Sequence, residues 1–163
     1  MKHTIAVILE NKPGALTRVA GLFSRRSFNI DSLSVGATDN PEYSRMTITV
    51  QGDRDNLEQV IKQLSKLINV IRVSELDATE SVERELAVIK VSADRENRSE
   101  IMQIVNIFRA KIIDVSSRSM IIEATGDEEK IDAIIQLLRQ FGIKELARTG
   151  KVSMVRGARV IKA

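Results

Sequence analysis

Apolar and polar positions change period several times along the first half of the chain, and each change marks an element. Thr4 to Leu9 is a continuous apolar run, as expected of a covered strand, and Met46 to Gln51 alternates strictly. Between them Ala15, Leu16, Val19, Ala20, Leu22 and Phe23 fall on one helical stripe, introduced by Pro13-Gly14 and closed by Arg25-Arg26. Asn29 to Val35 resumes extended character, with Asp31, Leu33 and Val35 on one side and Ile30, Ser32 and Ser34 on the other. Gly36 to Arg45, with Asp39-Asn40-Pro41 inside it, reads as a loose hairpin connection. After Gly52-Asp53 a second helix carries Leu57, Val60, Ile61, Leu64 and Leu67, and Asn69 to Leu76 supplies another strand. The predicted order is β-α-β-β-α-β.

The same order runs again. Leu16, Val19, Leu22, Phe23 and Ile30 align with Ile101, Ile104, Ile107, Phe108 and Val115 at an offset of 85 residues. Gly52-Asp53 and Leu57, Val60, Ile61 and Leu64 align with Gly126-Asp127 and Ile131, Ile134, Ile135 and Leu138 at an offset of 74. The lost residues fall between the second and third strands, where a tight turn near Ser117-Arg118-Ser119 replaces the longer connection. The expectation is an α+β chain of two tandem ferredoxin-like domains, residues 1–77 and 83–163, joined by a polar linker at 78–82.

Composition narrows the chemistry. With no Cys and a single His, His3, the chain has no thiol nucleophile, disulfide framework or Cys/His metal site, and it suits a reducing, cytoplasmic compartment. No stretch approaches the ~18 consecutive apolar residues of a membrane span. Lys plus Arg number 25 against 22 Asp plus Glu, a net charge of +3 that is too balanced to argue for nucleic acid. The central strands also lack the aromatics on which a sheet stacks RNA bases. No carboxylate pair in an apolar setting and no glycine-rich phosphate loop is visible, so the residues do not read as catalytic. His3 reads as a partly exposed residue at a strand start. The tail from Lys151 carries Lys151, Arg156, Arg159 and Lys162 without an acid, a run that reads as a solvated surface or as a docking segment.

The informative cluster is Glu10-Asn11-Lys12-Pro13-Gly14-Ala15-Leu16, at the first strand-to-helix turn, with Asn29 at the start of strand two. Both are expected near one sheet edge. A helix N-terminus offers free amides and partial positive charge, which together hold a small carboxylate. Gly14 leaves room for its approach, and two neutral Asn amides suit a zwitterion. The structural reading stands beside this one: Asn11 as a helix cap, Pro-Gly as a turn, Asn29 as a turn residue. At the offset of 85 the second copy has Glu96 for Asn11, Ser99 for Gly14 and Asp114 for Asn29, so the fold itself does not require the first copy's choices.

The run Asn11 to Leu16, followed by Val19, Leu22-Phe23, Arg25-Arg26 and Phe28-Asn29-Ile30-Asp31-Ser32-Leu33, resembles an ACT domain. Together with Val82-Glu83-Arg84-Glu85-Leu86 and the close from Gly150 to Ala163, the whole chain resembles the regulatory small subunits of acetolactate synthase (acetohydroxyacid synthase), most nearly the isozyme III form. The resemblance implies a non-catalytic subunit that dimerises through its ACT domains, binds and activates a large catalytic subunit, and confers feedback inhibition by valine. It implies an effector held by Asn11 and the amides of Gly14, Ala15 and Leu16, with Asn29 and the Ile30 backbone completing the site. Thiamine diphosphate, Mg²⁺ and FAD would belong to the catalytic partner. A competing reading is a free-standing amino-acid sensor acting on a different enzyme or transcription factor.

Overall fold

In the computed structural model, which describes residues 1–26 and 28–163, the chain forms two units: Met1–Val82 with Gly150–Ala163, and Glu83–Thr149. The first is built on strands β1 (Lys2–Glu10), β2 (Asn29–Ala37), β3 (Tyr43–Gln51) and β4 (Val70–Leu76), in the antiparallel order β2-β3-β1-β4. Helices α1 (Ala15–Arg25) and α2 (Arg54–Ser65) cover one face. Strand alternation sends Ile5, Val7 and Leu9 of β1 and Met46, Ile48 and Val50 of β3 towards those helices, where they meet Val19, Leu22, Phe23, Leu57, Val60 and Leu64. Ala6 and Ile8 point the other way. Leu76 and Ile161 close over them, with Tyr43 and Val155 at the margin.

That second cover corrects the expected domain boundary. The segment from Gly150 onward was assigned by sequence to the second domain as a basic tail, yet it belongs to the first unit. It contains strand β9 (Val152–Val155), and Arg156 N–H donates to the carbonyl of Glu80, also in the first unit, just ahead of β5 (Ser81–Ser92). Arg45, half-buried on β3, donates to the carbonyls of Ser153 (2.7 Å) and Ile161 (3.2 Å). The segment's cations hid this role because its seal is a single aliphatic side chain, Ile161, 7% exposed; burying such a side chain is worth about 1.5–3 kcal/mol. Lys151 is itself buried rather than solvated. The polar linker at 78–82 is also shorter than expected, since β5 already begins at Ser81.

Three further local differences have clear causes. A bulge between Ile30 and Ser32 inserts Asp31 and places Ile30, opposite Val50, on the same side as Leu33 and Val35, not on the opposite side. The hairpin between β2 and β3 is compact: Thr38 N–H donates to the Tyr43 carbonyl, and Asn40 Oδ1 accepts from the Glu42 amide. His3 is buried, not partly exposed; its Nε2 lies 3.1 Å from the Gly52 carbonyl and its Nδ1 3.3 Å from Glu75 Oε1. Arg54, 2.6 Å from the other oxygen of Glu75, is the main reason that carboxyl sits below its ordinary range.

The second unit repeats the plan. β5 continues into α3 (Arg98–Ile107), β6 (Lys111–Val115), β7 (Ser119–Gly126), α4 (Glu128–Leu138) and β8 (Ile143–Arg148), in the sheet order β6-β7-β5-β8. Ala87, Ile89, Val91 and Ile122 pack on Ile101, Val105, Ile131, Ile134 and Leu138. The repeated Gly-Asp is a helix start in both units: Asp53 accepts from the Asn56 amide at 2.8 Å, and Asp127 from the Lys130 amide at 2.9 Å.

The two repeated glycines are not equivalent. A Cβ on Gly52 would lie 2.2 Å from Cε1 of the buried Phe28 ring, which packs edge-on against Phe23, whereas one on Gly126 would meet chiefly the flexible Lys130 side chain. Gly52→Ala should therefore lose about 1–3 kcal/mol by overpacking, and Gly126→Ala less than about 0.5 kcal/mol. Thermal denaturation of the two variants checks this, and equal losses would refute it.

Candidate functional site

The turn after β1 is held open from below. Asn11 N–H donates to the Glu42 carbonyl (2.8 Å) and its side-chain Nδ2 to the Pro41 carbonyl (3.1 Å), tying the turn to the β2–β3 hairpin. Asn11 is therefore not the helix cap. The cap position is Gly14, at φ +85°, a left-handed conformation that glycine adopts without strain. Nothing lies within 4 Å of where its Cβ would be, so the space in front of the helix is open.

Beyond Gly14 the helix start is electrostatically bare. No side chain caps α1, and its first turn carries no acid. Ala15 N–H reaches the Lys12 carbonyl at 3.3 Å and the first intrahelical bond runs from Arg18 to Gly14, so the amides of Leu16 and Thr17 have no i−4 acceptor within the helix. Leu16 is exposed beside them. Lys12 pairs with Glu10 at 2.6 Å, and that bond raises the Lys12 pKa.

The corresponding turn of the second unit carries acids of its own, although no side chain caps α3 either. Asp94 Oδ1 accepts from the amides of Glu96 (2.9 Å) and Asn97 (3.0 Å), and Glu100 sits in the first turn of α3. In the second unit a carboxylate of the chain's own thus accepts from the amides that precede the helix, whereas in the first the nearby Glu10 carboxylate pairs with Lys12 instead. This distinction lies in residue 94, aligned with Leu9, and was missed by comparing only the positions of Asn11, Gly14 and Asn29.

Asn29 and Ile30 stand elsewhere. Asn29 is exposed at the start of β2 and pairs with Gln51, and Ile30, half-buried, leans on the first core. Nearby, Asp31 accepts from Gln51 Nε2 at 3.1 Å and faces Lys2 at 3.8 Å. Gln51 also pairs with Lys2, where β1 begins, whereas Asn11 follows Glu10, where β1 ends. The expectation that both lie near one sheet edge is overturned by this register. Nine strand residues at about 3.3 Å each separate them, so Asn11 and Asn29 of one chain stand at opposite ends of the sheet. Between the two ends runs the free edge of β2, with Leu33 and Val35 exposed on the helix side. Among the described residues there is no cluster of His, Asp and Glu that could hold a metal ion, and no helix long and apolar enough to cross a membrane.

Comparison with known proteins bears on this arrangement at both units. Residues 5–72 match the family model of the acetohydroxyacid synthase small subunit-like ACT domain, and residues 84–157 that of the small subunit of acetolactate synthase. A protein of Archaeoglobus fulgidus described as a probable acetolactate synthase small subunit is 65% identical over 96% of this chain and 98% of its own. The acetolactate synthase small subunit of Mycobacterium bovis is 55% identical over 98% of this chain and 95% of its own. The crystal structure of the acetolactate synthase small subunit from Thermotoga maritima superposes with a TM-score of 0.91 at 46% identity, covering 98% of this chain and 99% of that one. Two ferredoxin-like units, the first an ACT domain, and relatives matched from end to end leave one assignment: the chain belongs to the family of acetolactate synthase small subunits.

Proposed function

We propose that the chain is the non-catalytic subunit that activates a thiamine-diphosphate-dependent acetolactate synthase and makes it sensitive to valine. The observation that carries this reading is the open, acid-free start of α1 behind Gly14, set against α3, whose first turn carries Glu100 and whose preceding amides already hold the Asp94 carboxylate. Two amides and a helix dipole without an internal anion suit the carboxylate of an amino acid. The Asn11 side chain, which spends one of its two donors on Pro41, keeps a donor and an acceptor for the ligand. Thiamine diphosphate, Mg²⁺ and FAD are assigned to the catalytic partner, and the complex to the cytoplasm.

The distance between Asn11 and Asn29 calls for two copies. If the free edges of β2 pair antiparallel about a two-fold axis, the start of one β2 lies beside the end of the other. That end, Ala37 opposite Ser44 opposite Leu9, is where β1 delivers the second copy's Asn11. Asn29 and Ile30 of one chain and Asn11, Gly14, Ala15 and Leu16 of the other then share one effector. The same pairing covers Leu33 and Val35 and satisfies an otherwise open row of backbone groups.

The isolated chain should show no acetolactate formation, and should raise the rate of the catalytic subunit when added to it; activity after complete removal of that subunit would overturn the assignment. Asn11→Asp keeps the size of the side chain but puts a charge beside the ligand carboxylate. Its amide bond to Pro41 is exposed, so stability should fall by no more than about 1 kcal/mol. Valine affinity should fall by roughly 30- to 1000-fold, equivalent to about 2–4 kcal/mol, with activation retained. The valine inhibition constant of the reconstituted enzyme reads this directly. Val35→Lys should leave Asn11 and Gly14 intact yet raise the dimer dissociation constant at least about 100-fold and abolish valine binding. Sedimentation velocity with a valine titration tests it, since a monomer that still binds valine would sink the shared site.

A further inference from the structure

The first unit has a concavity on the face of its sheet away from the helices. A cavity of about 560 Å³ lies between the outer face of the sheet, the β2–β3 hairpin and the C-terminal segment. A smaller recess of about 260 Å³ shares Arg45, Met154, Ile161 and Lys162 with it and adds Arg159. Ile8, Ile161 and Met154 give the larger cavity apolar lining, and Tyr43, Arg45 and Lys162 bring polar groups to it.

Arg45 is the unusual member. It is half-buried, and no carboxylate lies within 4.0 Å of it among the described residues. Its hydrogen bonds run to two main-chain carbonyls, which take two of the five N–H donors of a guanidinium. Burial without a counter-ion disfavours the cation and lowers the Arg45 pKa. An anion delivered to the cavity would offset that cost. Lys162, which lines both recesses, would add to the attraction. Asp39 also lines the cavity, but it is exposed on the hairpin, where solvent and salt screen it. A pocket of a few hundred Å³ with apolar lining and a few polar groups has the make-up of a small-molecule site.

We infer that this cavity binds a small aliphatic carboxylic acid, its carboxylate on Arg45 and Lys162 and its hydrocarbon on Ile8, Ile161 and Met154. The site lies on the face opposite the helices and does not depend on the effector reading above. Because the ligand would bridge β3 to the C-terminal segment, its occupancy would tighten the seal over Ala6 and Ile8.

The probe is 3-methylbutanoate, which carries the carboxylate and branched chain but no ammonium group. Titrated calorimetrically into the full chain carrying Asn11→Asp, so that the helix-start site is disabled, it should bind saturably with a dissociation constant of about 1 mM, and 3-methyl-1-butanol should not bind. Arg45→Gln should weaken binding at least about 10-fold. Because Arg45 also holds the C-terminal segment, Ala37→Phe, which fills the cavity and leaves the Arg45 bonds in place, should give the same loss without lowering the melting temperature. No saturable binding up to about 20 mM, equal binding of the alcohol, or binding that survives Ala37→Phe would each overturn the inference. None of these outcomes bears on valine inhibition of the reconstituted enzyme.

Discussion

A strand apolar on both faces has to be covered twice, and β1 is such a strand. Ile5, Val7 and Leu9 are closed by the two helices, and without the segment after Gly150 the row of Ala6 and Ile8 would face water. The first unit therefore recruits chain from beyond the second unit. Much else follows from that recruitment. Arg45 is drawn under the segment by two carbonyls, and Gly150 comes so close to β2 that a Cβ there would sit 2.5 Å from the Leu33 carbonyl oxygen. The central strand also carries the two ends of the sheet apart by its full length, which decides what a single chain can and cannot assemble.

The two turns before α1 and α3 show how a duplicated scaffold lets one aligned position take two different tasks. Both have the same backbone task, to lead a strand into a helix whose first amides lack partners. In the second unit Asp94 puts a carboxylate on the Glu96 and Asn97 amides just ahead of α3. In the first unit Leu9 stands at that place, buried in the core, and the α1 amides of Leu16 and Thr17 have no acceptor within the helix. One aligned position is thus a turn-forming acid in one copy and a core residue in the other.

How far this was legible from the sequence differs by element. The helices declared themselves through stripes such as Leu57, Val60, Ile61 and Leu64, whose spacing has one solution, and the Gly-Asp starts recurred with them. The two-fold repeat was legible because core positions tolerate little change in volume. The bulge at Asp31 was not, since one inserted residue leaves the composition of a strand unchanged while reversing the faces of what precedes it. The docking of Ile161 was not either, because a single apolar residue among cations has no period to reveal it. For the site, the residue types at Asn11 and Gly14 were readable as ligand-suited, but the distance from Asn11 to Asn29 emerges only with the pairing of Lys2 and Asn29 to the same Gln51.

The segment that seals the first unit also sets an order of events during synthesis. Residues 83–149 are contiguous, so the second unit has all its strands and both helices once Thr149 has left the ribosome. The first unit, although begun earlier, must wait with Ala6 and Ile8 uncovered for roughly 4–16 s while the chain from Glu83 to Ile161 is added at about 5–20 residues per second. The half that is read first is thus the half that is finished last, and its exposed strand row is the part of the nascent chain most in need of protection from aggregation.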